Sequence, residues 1–179
     1  MATRTLLFTL LILCAPCLRG QQPPAEDPRA VFERAQTALQ NQDLTSAEAG
    51  FEEVLRLDPQ SVAALSNLGV VYMRKEKYDR AIQAFLKAQK LNPSVPGISL
   101  NLGLAYYHRE RFALAIPEFA HVLQAQPGSY QGRYLLGMSY FLNDDYQLGA
   151  QTLEPLASGG RPKLNQGGFH DQYGSQRVS

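Results

Sequence analysis

One fixed step recurs through the middle of this chain, and no other feature constrains its fold as tightly. Pro59, Pro93 and Pro127 are spaced by it. So are Gly69, Gly103 and Gly137, with Ala35 one step earlier, and Tyr72, Tyr106 and Tyr140, with Ala38 earlier. Ala47, Ala81 and Ala115 lead on to Gly149, and Phe51, Phe85 and Phe119 to Leu153. Leu44, Tyr78, Phe112 and Tyr146 make a further row. A period on this scale marks a stack of similar units, none of which can bury its apolar face alone.

Within a unit the spacing is helical. Leu65, Leu68, Gly69 and Tyr72 fall on one face of a first helix, and Ala81, Phe85 and Ala88 on one face of a second. The polar run Arg74–Lys77 is the turn between them, a solvated turn rather than a nucleic-acid site. Ser61, Ser94 and Ser129 are placed to cap first helices, and Asp43 and Asp145 to cap second helices. The prolines at the unit ends stop the second helices. Gly69, Gly103 and Gly137 let the paired helix approach closely, and Ala81 and Ala115 do so from the other side. The three recurring tyrosines fill the space between stacked units. Pro117 and Pro155 fall inside second helices, where the missing N–H predicts a local, tolerated kink.

The pattern Leu68-Gly69-x-x-Tyr72, Ala81-x-x-x-Phe85 and Pro93 resembles the tetratricopeptide repeat (TPR). Leu102-Gly103-x-x-Tyr106, Ala115-x-x-x-Phe119 and Pro127 repeat it. The resemblance implies four units, at 28–61, 62–95, 96–129 and 130–157. The first is weaker at its start, with Arg34-Ala35 and Ala38. The fourth keeps Leu136-Gly137-x-x-Tyr140 and drifts to Gly149 and Leu153. The implied fold is all-α, a right-handed α-solenoid of antiparallel helix pairs.

The same resemblance implies a concave groove, lined by the first helices, that binds peptide segments. On this chain the second unit offers Asn67, Val70, Met73 and Arg74 to it. The third adds Leu100, Asn101, Leu104, Tyr107 and His108, and the fourth adds Tyr134, Met138 and Phe141. An Asn amide is both donor and acceptor, so Asn67 and Asn101, one repeat apart, suit the backbone of an extended peptide; the alternative is that Asn is merely common in the repeat. Family members that bind chaperone tails clamp a C-terminal carboxylate with Lys, Asn and Arg. Here the Lys positions of that clamp fall on Ala63 and Gln131 and the Arg position on Leu135, so an acidic tail is not the expected ligand. The Met and aromatic residues suit a hydrophobic segment or an amphipathic helix instead. The alternative is that several of them are buried between helices.

The ends of the chain are different in character. Met1–Gly20 carries Arg4, then the apolar run Leu6–Cys14 interrupted only by Thr9, then Ala15, Pro16 and Cys17. That is the three-part build of a secretory signal, with cleavage expected near Gly20 before Gln21. About 20 apolar residues are needed to span a bilayer, so an uncleaved anchor is the less favoured reading. Leu13 and Pro16, directly before Cys14 and Cys17, do not resemble the small residue of bacterial lipoprotein signals. The signal holds both cysteines and two of the 17 basic residues; the mature chain would keep 15 basic against 16 acidic residues and no Cys, which fits an oxidising compartment. From Ser158 onward Gly, Gln and Ser dominate without apolar period, and disorder is expected. An open fourth unit could favour self-association.

A net charge of +1 gives no footprint for nucleic acid. Two Cys exclude a Cys-rich zinc site and a disulfide scaffold. His108, His121 and His170 stand in no recognisable ligand motif, and His121, beside Ala120 and Val122, reads as a surface or packing residue. No G-x-S-x-G elbow is present, and neither Gly159-Gly160 nor Gly167-Gly168 opens a phosphate loop. The expectation is an exported, non-catalytic adaptor, periplasmic or secreted, without cofactor, metal or small-molecule substrate, whose partner is a protein. Alternatives are a self-assembling or complex-forming structural subunit, and a module of a larger enzyme or carrier.

Overall fold

Helix boundaries in this chain are set by short polar signals that recur with the period. The computed structural model describes residues 27–158. These form α1 (Pro28–Gln40), α2 (Leu44–Leu57), α3 (Val62–Arg74), α4 (Tyr78–Leu91), α5 (Pro96–His108), α6 (Phe112–Ala125), α7 (Tyr130–Leu142) and α8 (Tyr146–Ser158). From α3 onward, every helix starts one full repeat step after its counterpart in the preceding pair. No strand occurs among the described residues. The expected signal segment and the expected disordered tail 158–179 lie outside them, except Ser158, which the structure places at the end of α8.

Ser61, Ser129 and Asp43 cap α3, α7 and α2 as expected, accepting from the backbone N–H of Ala64, Gly132 and Ser46. Asp27 caps α1 from before Pro28. Ser94 is a correction. Pro96 occupies the first position of α5, so the cap falls on Val95, which has no side chain to offer. Ser94 lies one residue too early, and its N–H donates to Asn92 Oδ1 at 3.3 Å. Asp145 directly precedes α8, and its carboxylate accepts from Asn143 Nδ2 at 3.0 Å. The helices α6 and α8 run unbroken through Pro117 and Pro155, both exposed.

The turn inside each pair closes in one way. Gln42, Glu76, Glu110 and Asp144 have φ of 62°, 57°, 56° and 66°, a left-handed conformation that recurs once in every unit. The next N–H then reaches back five residues: Asp43 to the Ala38 carbonyl, Lys77 to Tyr72, Arg111 to Tyr106 and Asp145 to Tyr140, at 2.8–2.9 Å.

Packing follows the rows. Phe51, Phe85 and Phe119 have no exposed surface. A Cβ at Gly69 or Gly103 would lie 2.5 or 2.6 Å from the ring of Phe85 or Phe119, and one at Gly137 2.5 Å from Leu153. The first pair reaches the same closeness differently: Ala35 stands at the glycine position, and Gly50 makes room, since a Cβ there would lie 2.6 Å from Ala35. Each helix packs on its neighbours in sequence, and α3 also touches α1 and α5. The result is an α-solenoid of four helix pairs with one continuous core.

Polar ties cross the joints. Tyr72 donates to Glu52 of α2 at 3.1 Å. Glu48 of α2 pairs with Lys75, with Lys77 at 3.4 Å and with Arg80 at 3.8 Å. The bond from Lys75 holds its carboxyl below the usual carboxylate range, against the opposing effect of burial. Asp79 pairs with Arg109 at 3.3 Å and Arg111 at 3.6 Å.

Candidate peptide-binding groove

The expected groove residues all sit on first helices, and their exposure depends on the unit that holds them. At the position shared by Leu39, Met73, Tyr107 and Phe141, exposure climbs from 6% and 8%, through half-buried, to 51%. The early units are covered by the unit that follows, and among the described residues no helix pair follows the fourth. Val70, Met73 and Leu104 lie in the buried core and turn little surface outward. Leu100, Tyr107 and Met138 are half-buried, while Tyr134 and Phe141 are exposed. Six of the ten exposed large apolar side chains among the described residues belong to α7 or α8. The exposed apolar surface of the expected groove is therefore concentrated in its second half.

Asn67 and Asn101 are half-buried on α3 and α5. Among the described residues, neither amide has a partner within the protein. Asn is a mediocre residue in a helix interior, so two of them one repeat apart contribute nothing there that Ala would not exceed. What they hold is a pair of open donors and acceptors.

Arg74 and several rings of the expected groove are otherwise engaged. Arg74 Nη1 donates to the Leu39 carbonyl at 3.0 Å and ties α3 to α1. His108 stacks on Tyr78, with ring centroids 5.0 Å apart and planes within 1°. Tyr107 meets Phe112 edge-on at 5.3 Å, and Phe141 meets Tyr146 in the same way at 5.1 Å. Burial, and then the neighbouring Tyr134, push the Tyr107 phenol above its ordinary value. Tyr78, Phe112 and Tyr146 thus lie against residues of the expected groove, a role that the spacing of their row did not indicate. The signal was present in the change from Leu44 to three aromatics.

Of the carboxylate-clamp positions, Ala63 is exposed, Gln131 half-buried and Leu135 buried at 3%. None can supply a cation. His121 is a half-buried packing residue whose Nδ1 lies 2.9 Å from the fully buried Ser99 hydroxyl. That hydroxyl accepts from Gln89 Nε2 at 3.2 Å, which also donates to Glu118 at 2.7 Å. This is a polar joint between α4, α5 and α6. Ser99 has no exposed surface, so the Ser–His contact is closed to any substrate.

An open depression of about 250 Å³ lies at the turn between α3 and α4, lined by Glu76, Lys77, Tyr78, Asp79, Arg80 and Arg109. Its mixed charges select no ligand class. Among the described residues no cluster of His, Cys, Asp and Glu could hold a metal ion, and no helix is long and apolar enough to cross a membrane.

The tetratricopeptide repeat profile matches residues 32–96, 67–130 and 100–157, most of the chain. This chain belongs to the tetratricopeptide repeat family. Solved structures share its fold. MamA from Desulfovibrio magneticus RS-1, residues 41 to the end, superposes with a TM-score of 0.69 at 23% identity, over 71% of this chain and 72% of that one. The TPR domain of Arabidopsis OM64 gives 0.61 at 17% identity, over 68% and 98%. The first TPR of Spaghetti (RPAP3), bound to the HSP90 peptide SRMEEVD, gives 0.64 at 17% identity, over 70% and 99%. No curated protein matches the chain.

Proposed function

We propose that this TPR protein is an exported, non-catalytic scaffold. Its four units, 28–61, 62–95, 96–129 and 130–157, would hold an extended segment or an amphipathic helix of a partner protein along α3, α5 and α7. The observation that carries this is the pair Asn67 and Asn101, half-buried and without internal partners, beside the exposed aromatics of α7. Asn amides would hold the ligand backbone. Tyr107, Tyr134, Met138 and Phe141 would supply most of the affinity by burial. General use of the fold as a protein-interaction scaffold supports the reading, as does a fold relative with a peptide in place. That ligand, SRMEEVD, is acidic. The missing cations at Ala63, Gln131 and Leu135 favour an uncharged apolar segment here. Nucleic acid, a cofactor and a small-molecule substrate have no place in this reading. Export rests on the pattern Met1–Gly20; N-terminal sequencing of the protein made in a secreting host checks it, and an intact Met1 in the membrane fraction would favour the anchor instead.

The deciding experiment is binding to an array of random peptides, read beside the Asn67→Ala, Asn101→Ala double variant. Ala favours the helix, so the fold should survive. Selective binding that weakens about tenfold or more in the variant supports the groove. Binding indifferent to the variant rejects it.

A further inference from the structure

The two ends of the array are finished differently. In α3 the positions Ala64, Leu68 and Val71 are buried, and so are their equivalents in α5 and α7. The preceding second helix covers them: a Cβ at Gly132, on this line of α7, would lie 3.1 Å from Val122 of α6. In α1 the same line reads Ala30, Arg34 and Thr37, and the last two are exposed. At the other end, the positions where Phe51, Phe85 and Phe119 have no exposed surface hold the half-buried Leu153. Val54, Ala88 and Val122, at 0–3%, correspond to the half-buried Leu156. Ala150, Glu154 and Ala157 complete this outer face of α8, and all three are exposed.

The geometry points to head-to-tail stacking of copies of this chain, with α8 of one copy seated against α1 of the next, so that the order of the array continues across the junction. The internal joints give the register. Second and following first helices run antiparallel, with Glu48 against Lys75, Glu52 against Tyr72 and Gln89 against Ser99. Glu154 occupies the position of Glu52. It therefore faces the position of Tyr72, one turn from that of Leu68, which in α1 is Arg34. Stacking brings Glu154 towards Arg34 of the next copy and lays Leu156 and Ala157 over Ala30. Both charged side chains also interact within their own copy; the selection lies in the sign of the charges. A two-fold pairing of two α8 faces would instead bring Glu154 towards its own duplicate, like against like. Opposite charges thus favour the heterologous contact, which is not limited to two copies. This inference is independent of the groove.

Sedimentation velocity of the full chain over a range of concentrations tests it. Wild type is expected to pass from monomer to species larger than a dimer. Arg34→Glu and Glu154→Lys, both at exposed positions, should each move this association to at least about tenfold higher concentration, with circular dichroism unchanged. The double reversal Arg34→Glu, Glu154→Lys should restore it. Three results overturn the proposal: a strict monomer at high concentration, association indifferent to the reversals, or assembly that stops at a dimer and tightens with Glu154→Gln.

Discussion

Single residues decide how closely the helices of a pair can lie. Gly69 and Gly103 give the phenyl rings of Phe85 and Phe119 their seats, whereas in the first pair Ala35 and Gly50 share the same space with the small residue moved across. Gly69→Ala should therefore destabilise by about 1–2 kcal/mol, overpacking outweighing the gain in helix propensity. Adding Ala84→Gly, which copies the arrangement of the first pair, should recover part of that loss in a double-mutant cycle by urea unfolding. A second residue-scale device is the left-handed residue of each turn. Glu110 is exposed at φ 56°, a conformation that costs an L-residue about 1–2 kcal/mol. Glu110→Gly removes that strain at some cost in unfolded-chain entropy, and should raise stability by about 0.5–1 kcal/mol in the same measurement.

At the scale of elements, one helix carries an identifiable liability and one joint carries a charge lock. Pro117 interrupts the hydrogen bonding of α6 from an exposed position. Pro117→Ala restores the backbone donor and should add about 1–3 kcal/mol; an unchanged unfolding midpoint would show that the helix had already relaxed around the ring. Glu48 joins α2 to the turn between α3 and α4 through Lys75, Lys77 and Arg80, and its side chain is only 14% exposed. Glu48→Gln should cost about 1–3 kcal/mol at neutral pH. The folded carboxyl lies below its ordinary value of 4.5, so its contribution is present above that value and is lost as pH falls through the lowered folded one. The gap between wild type and Glu48→Gln should therefore close on acidification below about pH 4.5, and a gap that widens there would contradict the ion-pair account.

For the whole molecule, stability is distributed along a line, because each pair touches only its neighbours. Its ends are unequal. In α1, Val31, Ala35 and Leu39 are buried at 2–6%. Among the described residues of α8 only Gly149 is buried. Hydrogen exchange should find α8 opening first and α3 to α5 last. Protection of α8 that rises with protein concentration would fit the stacking of copies. The groove follows the same gradient. Its N-terminal apolar positions are buried and serve the core, and its C-terminal ones are exposed, where the proposed ligand would lie.

Much of this was legible in the sequence because a repeat reports the same physics several times over. Rows such as Phe51, Phe85 and Phe119, evenly spaced along the chain, determined the helix pairs, their core faces, the close approach at the glycines and the family. One-residue polar signals placed most of the caps. The miss at Ser94 arose where a proline at position 96 overrode a good capping residue by restricting the backbone. What the sequence could not separate was a side chain that faces a partner from one that faces the next repeat. Val70, Met73 and Leu104 have the same apolar character and helical phase as Tyr107 and Phe141. Only the stacking decides that the first three are covered and Phe141 is exposed, because burial depends on what packs over each position. For the same reason the polar joint of Ser99 and His121, the Glu48 cluster and the unequal ends emerged only when distant segments were brought together. Local periodicity specifies which face of a helix is apolar, and tertiary packing specifies what that face meets.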